Sequence, residues 1–316
     1  MIAVADQPDE HPLVHQALVY SSDAGFLAVA VPFCRDGLAA REKVLAVTTA
    51  ANIALLTRAL GDDAGEVEFV EAGGWYDAPG RTLAAYGRYL DAYRSAHPRV
   101  RVIGEPVWHG RTPLEEAEWT RYESVVNAAF AARPAWMLCA FDERAVPDRV
   151  VAGARRTHPG LLAGDGPRAS ADYVEPESYT GAADHDPLPP PPPGAAALRF
   201  DGDLHRVRRH VRTTAERLGL SRALTDRLLL TVNEVAANAV EHGGGHGDLA
   251  IWADGRAVVC DVSDPGKLTA VLPGYLPPGP TALRGHGLWV VRQLCDLLEV
   301  RSDLAGTRFR LHLIRD

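Results

Sequence analysis

Three polar side chains recur at intervals of four residues in the C-terminal part of this sequence. Glu234, Asn238 and His242 fall on one face of a predicted helix whose other face is apolar, because residues four apart stack along a helix surface. A carboxylate near a carboxamide combines a base with an oxygen ligand for a hard cation such as Mg²⁺. The spacing favours such a site, although the polar end of an ordinary amphipathic helix shows the same pattern.

Two further segments carry residues suited to binding a nucleotide. Asp264-Pro-Gly266 follows a predicted strand, where an aspartate can accept a hydrogen bond from an adenine amino group. Arg284-Gly-His-Gly-Leu288 opens a predicted helix. Its glycines let backbone N–H groups approach phosphate oxygens, whose charge the N-terminus of a helix favours. Each segment alone is weak evidence, but their order and spacing together favour an ATP site.

In this order the three segments resemble the N, G1 and G2 boxes of the GHKL ATPase superfamily, and most closely its anti-sigma-factor serine kinases. The N box is matched as Glu234-Val-Ala-Ala-Asn238-Ala-Val-Glu-His242, and the G2 box as Gly285-His-Gly287-Leu-Trp-Val-Val. The resemblance covers about residues 196–316 and implies an α+β Bergerat fold, with Glu234 as the catalytic base and Asn238 as the Mg²⁺ ligand. The remaining ATP-binding residues that it predicts are His242, Asp264, Gly266, Arg284, Gly285, Gly287, Leu288 and Thr307.

Two departures from the superfamily pattern bear on turnover. The G1 box is usually DxGxG, but here Leu268 replaces its second glycine, and this side chain is expected to narrow the adenine pocket. The lid, at about residues 267–284, is rich in proline and is expected to be stiff or irregular. The sequence therefore predicts ATP binding more strongly than it predicts catalytic turnover of ATP.

Apolar periodicity and turn residues predict the elements that hold these motifs. Ser221 is the predicted N-cap of the helix that carries Glu234, and Asp254-Gly255 predicts a hairpin turn. The predicted elements of this domain are a strand over 197–200, a helix over 203–218, a helix from 221 to 242, strands over 248–253 and 257–263, a helix from 287, and strands over 298–302 and 307–313.

The N-terminal half alternates short β-branched strands with amphipathic helices, which predicts an α/β domain with a mostly parallel sheet. No GxxxxGK[ST] motif occurs in it, so a P-loop is excluded. The predicted elements are strands over 13–20, 43–48, 100–104 and 135–140, and helices over 82–96 and 113–132.

Several segments of this half resemble, in order, the MEDS family of sensory domains, whose RecA-like core lacks a P-loop. They are HxxLVY from His15, SDAGFLAVAVPFCRDGL, GGWY, GEPVWHGR and WTRYES. The resemblance covers about residues 10–160 and implies the sensing of a small-molecule or protein signal. The alternative for the tryptophans and carboxylates of these segments is that the tryptophans belong to the core and the carboxylates are capped or solvated. The candidates for a sensory pocket are His15, Trp75, Glu105, Trp108 and Glu123.

A proline-rich linker, residues 164–195, is predicted between the sensory domain, 1–163, and the ATP-binding domain, 196–316. Its five consecutive prolines, Pro189–Pro193, adopt extended polyproline II because proline cannot continue a helix or a central strand. This composition is typical of a semi-rigid spacer.

The composition excludes several classes of protein. With 47% hydrophobic residues and a net charge of −8 over 316 residues, the chain is globular, and it lacks the basic excess that nucleic-acid binding requires. The four scattered cysteines are expected to be core residues in a reducing compartment rather than disulfides or a zinc site. No membrane span or secretory signal is predicted, so we expect a cytoplasmic protein.

These features predict a regulatory protein in which a sensory domain controls a Mg·ATP-dependent serine/threonine kinase. The resemblance implies a STAS-type anti-sigma-factor antagonist as the substrate, a sigma factor as a further partner, and a homodimer. The alternative is a non-catalytic ATP-binding module that sequesters its partner. A sensor histidine kinase is less favoured, because neither His205 nor His210 is followed by the acidic residue and proline of an H-box.

Overall fold

The structure is a computed structural model that describes residues 12–163, 166–183, 186–277 and 285–315. The chain divides into two compact units near Tyr179. Within the described residues, none of the helices combines the length and the apolar character that a membrane crossing requires.

The first unit contains a seven-stranded sheet. Its strands are β1 (Val14–Tyr20), β2 (Lys43–Thr48), β3 (Glu68–Glu71), β4 (Val100–Gly104), β5 (Ala135–Asp142), β6 (Gly160–Ala163) and β7 (Gly166–Ala169). Their order is β3-β2-β4-β5-β1-β6-β7, and all neighbours are parallel except the β6–β7 hairpin. The predicted α/β class with a mostly parallel sheet is confirmed.

Helices supply the crossovers that parallel strands require. The helices between the parallel strands are α1 (Asp23–Ala39), α2 (Ala50–Leu60), α3 (Ala72–Trp75), α4 (Pro79–Tyr93), α5 (Pro113–Ala129) and α6 (Asp148–Thr157), and a further helix, α7 (Pro176–Ala183), follows β7. Every residue of β4 is buried, as expected for a strand whose sheet has both faces covered. The Thr112 side chain and Glu115 form a reciprocal capping box at the start of α5, which fixes where that helix begins.

The second unit contains a five-stranded antiparallel sheet with helices, which confirms the predicted α+β class. Its elements are β8 (Ala196–Phe200), α8 (Leu204–Arg217), α9 (Arg222–His242), β9 (Gly247–Asp254), β10 (Ala257–Asp264), α10 (Gly287–Leu294), β11 (Leu297–Asp303) and β12 (Gly306–Ile314). The strand order is β11-β12-β10-β9-β8. Side chains alternate across the sheet, so that Phe309, Leu311 and Leu313 of β12 enter the core.

Helix α9 is the long helix that the sequence predicts. Its N-cap Ser221 accepts a hydrogen bond from the backbone N–H of Leu224, and its apolar stripe, including Leu228 and Val232, is fully buried. Gly243 is its C-cap residue. Packing of this stripe against the sheet leaves the polar face of the last turns outside the core, where Glu234 and Asn238 lie half-buried.

The segment predicted as a linker carries more structure than a plain spacer. Strand β7 and helix α7 lie within it, and the backbone carbonyls beyond α7 bind the outward face of the second sheet. Arg301 donates to the carbonyl of Asp186 at 2.8 Å, and Arg310 donates to that of Pro189 at 2.6 Å. Arg308 approaches the carbonyl of Leu188 at 3.5 Å. Arg310 also forms a buried bidentate pair with Asp261.

Candidate functional site

Two polar side chains of α9 converge on the first residue of α10. A Cβ atom placed on Gly287 would lie 3.0 Å from Glu234 Oε2 and 3.7 Å from Asn238 Nδ2. The glycine therefore leaves space directly in front of the carboxylate and the carboxamide. In the described part of the chain, the side chain of the N-cap residue His286 makes no capping hydrogen bond, so the first N–H groups of α10 are available to an anion.

A tight loop after β10 holds Asp264 beside the end of α9. Asp264 Oδ1 accepts a hydrogen bond from the backbone N–H of Gly266 at 2.8 Å. Burial raises the pKa of Asp264, and the Gly266 N–H and nearby His246 oppose this in part. A Cβ atom on Gly266 would lie 2.5 Å from Gly243 Cα, so the two backbones pass each other at a distance that only glycine permits.

The β11–β12 hairpin fixes this loop through a relay of hydroxyl groups. Ser302 Oγ accepts from the backbone N–H of Leu268 at 2.9 Å, and Thr307 Oγ1 donates to the carbonyl of Gly266 at 2.8 Å. The two hydroxyls lie 2.8 Å apart, and because Thr307 gives its proton to Gly266, Ser302 donates to Thr307. Thr307 thus holds the loop backbone. The sequence does not indicate Ser302, because its partner comes from a distant segment.

The predicted ATP-binding residues line one cavity. Its volume is about 670 Å³, within the range of small-molecule sites. The predicted residues in its lining are Glu234, Asn238, His242, Asp264, Gly266, Gly285, Gly287, Leu288 and Thr307. His242 lies at the solvent-exposed rim, whereas Leu288 also packs against the core. Arg284 falls outside the described residues.

The described part of the predicted lid is anchored to α10. Arg292, which is buried, donates to the carbonyl of Pro273 at 2.7 Å, and its guanidinium lies 3.5 Å from the centre of the Tyr275 ring. Leu268, the residue in place of the second G1 glycine, lines the cavity and also packs against the core. The narrowing of the adenine pocket that the sequence predicts for this residue stays a prediction.

The sensory-pocket candidates fall into separate environments. His15 and Glu123 meet in the core, with His15 Nε2 3.7 Å from Glu123 Oε2. Glu105 belongs to another buried network, in which it accepts hydrogen bonds from Tyr20, Thr48 and Asn52. The two tryptophans have aromatic neighbours: Trp75 lies 5.1 Å from Tyr86, and Trp108 lies 6.2 Å from Phe141, between ring centroids.

The second unit combines a five-stranded antiparallel sheet, three helices and a cavity lined in part by glycines. In a comparison with protein families, residues 199–313 match the histidine kinase-like ATPase domain, and residues 14–159 match MEDS, the methanogen/methylotroph, DcmR sensory domain. The chain therefore carries a MEDS domain followed by a histidine kinase-like ATPase domain, and the second domain implies nucleotide binding. Comparison with curated proteins finds no match.

Several solved structures show low similarity to the chain. The RsbU and RsbW domains of Rv1364c from Mycobacterium tuberculosis share 20% identity over 40% of this chain and 33% of that one, with a TM-score of 0.29. The catalytic domain of the histidine kinase ThkA shares 16% identity (38% and 95% coverage, TM-score 0.26). The Acinetobacter baumannii histidine kinase AdeS shares 14% (38% and 68%, TM-score 0.25). The chain thus spans only a third of the first of these proteins.

Proposed function

We propose that this protein is a regulatory serine/threonine kinase whose ATPase domain phosphorylates a STAS-type anti-sigma-factor antagonist, and that it also holds a sigma factor. One observation carries the proposal: Glu234 and Asn238 face Gly287 at the uncapped start of α10. A base, an oxygen ligand for Mg²⁺ and a group of phosphate-binding N–H donors are thereby adjacent. Such an arrangement suits phosphoryl transfer, which depends mainly on positioning and charge neutralisation.

The residues of the cavity fit a bound nucleotide with its metal ion. Asp264, held by the Gly266 N–H, would accept a hydrogen bond from the adenine amino group, and the N–H groups at Gly285 and Gly287 would bind phosphate oxygens. The Asn238 carboxamide oxygen would hold Mg²⁺. When bound, Mg·ATP supplies the γ-phosphoryl group, and Glu234 accepts the proton that the substrate hydroxyl loses.

An exposed row of arginines on α8 supports a protein substrate. Arg206, Arg209 and Arg212 are exposed, whereas Arg208 is held by Asn233 of α9 at 2.7 Å. Three guanidinium groups at intervals of three residues form a basic strip along one side of the helix. Such a strip suits an acidic partner, because complementary charge accelerates encounter and fixes orientation.

The kinase proposal is tested by phosphoryl transfer. The full chain is incubated with Mg²⁺, ATP labelled at the γ-phosphate and purified STAS-type antagonists from the same source. We expect one antagonist to be labelled, and Glu234→Gln to lower the rate about 10²- to 10⁴-fold, the usual contribution of a general base, with ATP affinity nearly unchanged. Glu216→Gln, on the exposed face of α8, is the control and should retain the wild-type rate.

A second arm of the experiment separates catalysis from binding. Calorimetry with the full chain should show ATP binding that depends on Mg²⁺ and that Asn238→Ala weakens. Wild-type protein that binds Mg·ATP but labels no antagonist contradicts the kinase proposal. The presence of Leu268 in the cavity lining favours the alternative in that case: a module in which ATP is an allosteric ligand and the partner is sequestered.

A further inference from the structure

Four side chains with metal-binding atoms meet inside the MEDS domain. They are His15 of β1, Glu123 of α5, Cys139 of β5 and His158, which directly follows α6. One ligand atom from each lies within 4.8 Å of the corresponding atom of every other. All four residues are at most 3% exposed, and no other such group of histidine, cysteine and carboxylate side chains occurs among the described residues.

The second nitrogen of the His158 ring is fixed by a hydrogen bond outside the cluster. His158 Nδ1 lies 2.8 Å from the carbonyl oxygen of Ala154. Because a carbonyl only accepts, Nδ1 carries the proton. The Nε2 atom of His158 therefore presents its lone pair to the cluster, as a metal-binding histidine does.

His15 is held in the same tautomer by an amide. Asn127 donates from Nδ2 to the carbonyls of Thr157 and Ser124, at 2.8 and 3.0 Å, which turns its Oδ1 towards the ring. His15 Nδ1 lies 3.0 Å from this oxygen and so carries the proton. The His15 Nε2 lone pair then faces Cys139 Sγ at 3.3 Å. Both imidazoles are thus oriented by oxygen acceptors on the side of the ring away from the cluster, the Ala154 carbonyl and Asn127 Oδ1.

Two of the inward-facing atoms are buried and unsatisfied. Glu123 Oε2 and His158 Nε2 make no hydrogen bond within the described residues, and they lie 3.6 Å apart. Buried polar atoms without a hydrogen-bond partner are costly in a protein core, and one cation between these two atoms would satisfy both.

We propose that His15, Glu123, Cys139 and His158 bind one divalent transition-metal ion of the zinc type. Ligand atoms of a tetrahedral zinc ion lie about 3.3–3.7 Å apart, given metal–ligand distances of about 2.0–2.3 Å. The neighbouring pairs here are separated by 3.3, 3.6 and 3.7 Å. A thiolate and two imidazoles select such an ion over Mg²⁺ or Ca²⁺, which prefer oxygen.

Charge balance also favours this ion. On binding, Cys139 gives its thiol proton to solvent, and the thiolate and the Glu123 carboxylate together neutralise the two positive charges. Four protein ligands leave no open coordination position, which is typical of a structural or sensing site rather than a catalytic one. His15 and Asn127 also line an open cavity of about 690 Å³.

The proposal does not depend on the kinase activity and is tested by metal binding. Untagged full-length protein is stripped with a chelator and titrated with Zn²⁺ in competition with a chromophoric chelator. We expect one equivalent per chain. With Co²⁺ as the probe, we expect the visible bands of a tetrahedral site and a thiolate-to-cobalt charge-transfer band.

Two cysteine variants form a matched pair. Cys139→Ser should lose the charge-transfer band and bind Zn²⁺ much more weakly. Cys34→Ser, which alters a fully buried cysteine of the same domain outside the cluster, should retain both. Asn127→Ala keeps all four ligands and should lower Zn²⁺ affinity about 10- to 100-fold, the usual effect of removing a residue that orients a metal-binding histidine.

Circular dichroism of each variant shows whether it is folded. Wild-type protein that binds no stoichiometric Zn²⁺, or equal affinity in folded Cys139→Ser and Cys34→Ser, overturns the proposal. If Cys139→Ser does not fold, the proposal is tested by the Co²⁺ spectrum of the wild-type protein and by the Zn²⁺ affinity of Asn127→Ala. A wild-type spectrum without the thiolate-to-cobalt band overturns the proposal.

Discussion

At the scale of single residues, Gly243 leaves the space that the Asp264 carboxylate occupies. A Cβ atom on Gly243 would lie 2.3 Å from Asp264 Oδ1 and 2.7 Å from the carbonyl of Ala239. We expect Gly243→Ala to displace Asp264, to weaken ATP binding, and to lower the free energy of unfolding by about 1–3 kcal/mol, the usual cost of overpacking. Calorimetric titration with ATP and denaturant unfolding measure the two effects.

Gly202→Ala is the matched control for this substitution. A Cβ atom there would have no neighbour within 4 Å, and Gly202 is exposed in the same domain. Wild-type ATP affinity in folded Gly243→Ala would show that the position of Asp264 does not govern binding.

The protonation state of Asp264 gives the nucleotide site a pH dependence. The ionised carboxylate accepts the proposed hydrogen bond, and burial raises its pKa above the ordinary value of 3.8. The carboxylate is present above the raised pKa and is lost as the pH falls through it. ATP affinity should therefore start to fall at a higher pH than an ordinary aspartate would produce. In Asp264→Asn, ATP affinity should be lower, and its decrease at acid pH should be absent. An unchanged decrease at acid pH would show that another group causes it.

The sequence predicts candidate site residues only where they lie close together in a short motif. Glu234, Asn238 and Asp264 stand in short motifs, so the sequence places them in one site. Cys139 was expected to be an ordinary core residue, because its histidine and carboxylate neighbours come from three other elements. His158 has no local pattern at all. When tertiary packing brings distant residues together, their spacing in the sequence does not indicate the cluster.

At the scale of elements, the β11–β12 hairpin positions the Asp264 loop. Ser302 Oγ accepts from Leu268 N–H and donates to Thr307, which in turn holds Gly266. Ser302→Ala leaves the Leu268 N–H and the Thr307 acceptor without this partner, at a cost of about 1–3 kcal/mol. We expect lower ATP affinity and a lower free energy of unfolding. Thr269→Ala, an exposed change on the same loop, should alter neither; equal effects of both variants would contradict the role of the hairpin.

Elements with strong periodicity or caps were predicted almost to the residue. Strands β2 and β4 and the end of α9 match the expected bounds, because apolar runs, Ser221 and the glycines after His242 define them locally. The β6–β7 hairpin and α7 were not predicted. Their segment is rich in glycine, proline and polar residues, and the pairing of β6 with β1, a long-range contact, supplies the order that local propensity does not.

At the scale of the whole molecule, each half of the chain has a hydrophobic core of its own. We expect differential scanning calorimetry to show two unfolding transitions. Mg·ATP should raise one of them and Zn²⁺ the other, because a ligand stabilises the unit that binds it, by about 2.7 kcal/mol at a free concentration one hundred times its dissociation constant. A single transition that both ligands raise equally would contradict this expectation.

The contacts of the proline-rich segment constrain how its length can vary. The carbonyls of Asp186, Leu188 and Pro189 meet arginines at fixed positions on β11 and β12, and Arg301 and Arg308 are cross-strand partners. An insertion or deletion between residues 186 and 189 would move later carbonyls out of register with these side chains. Gain or loss of residues within this short stretch should therefore be selected against, so related sequences that keep these three arginines should also keep its length.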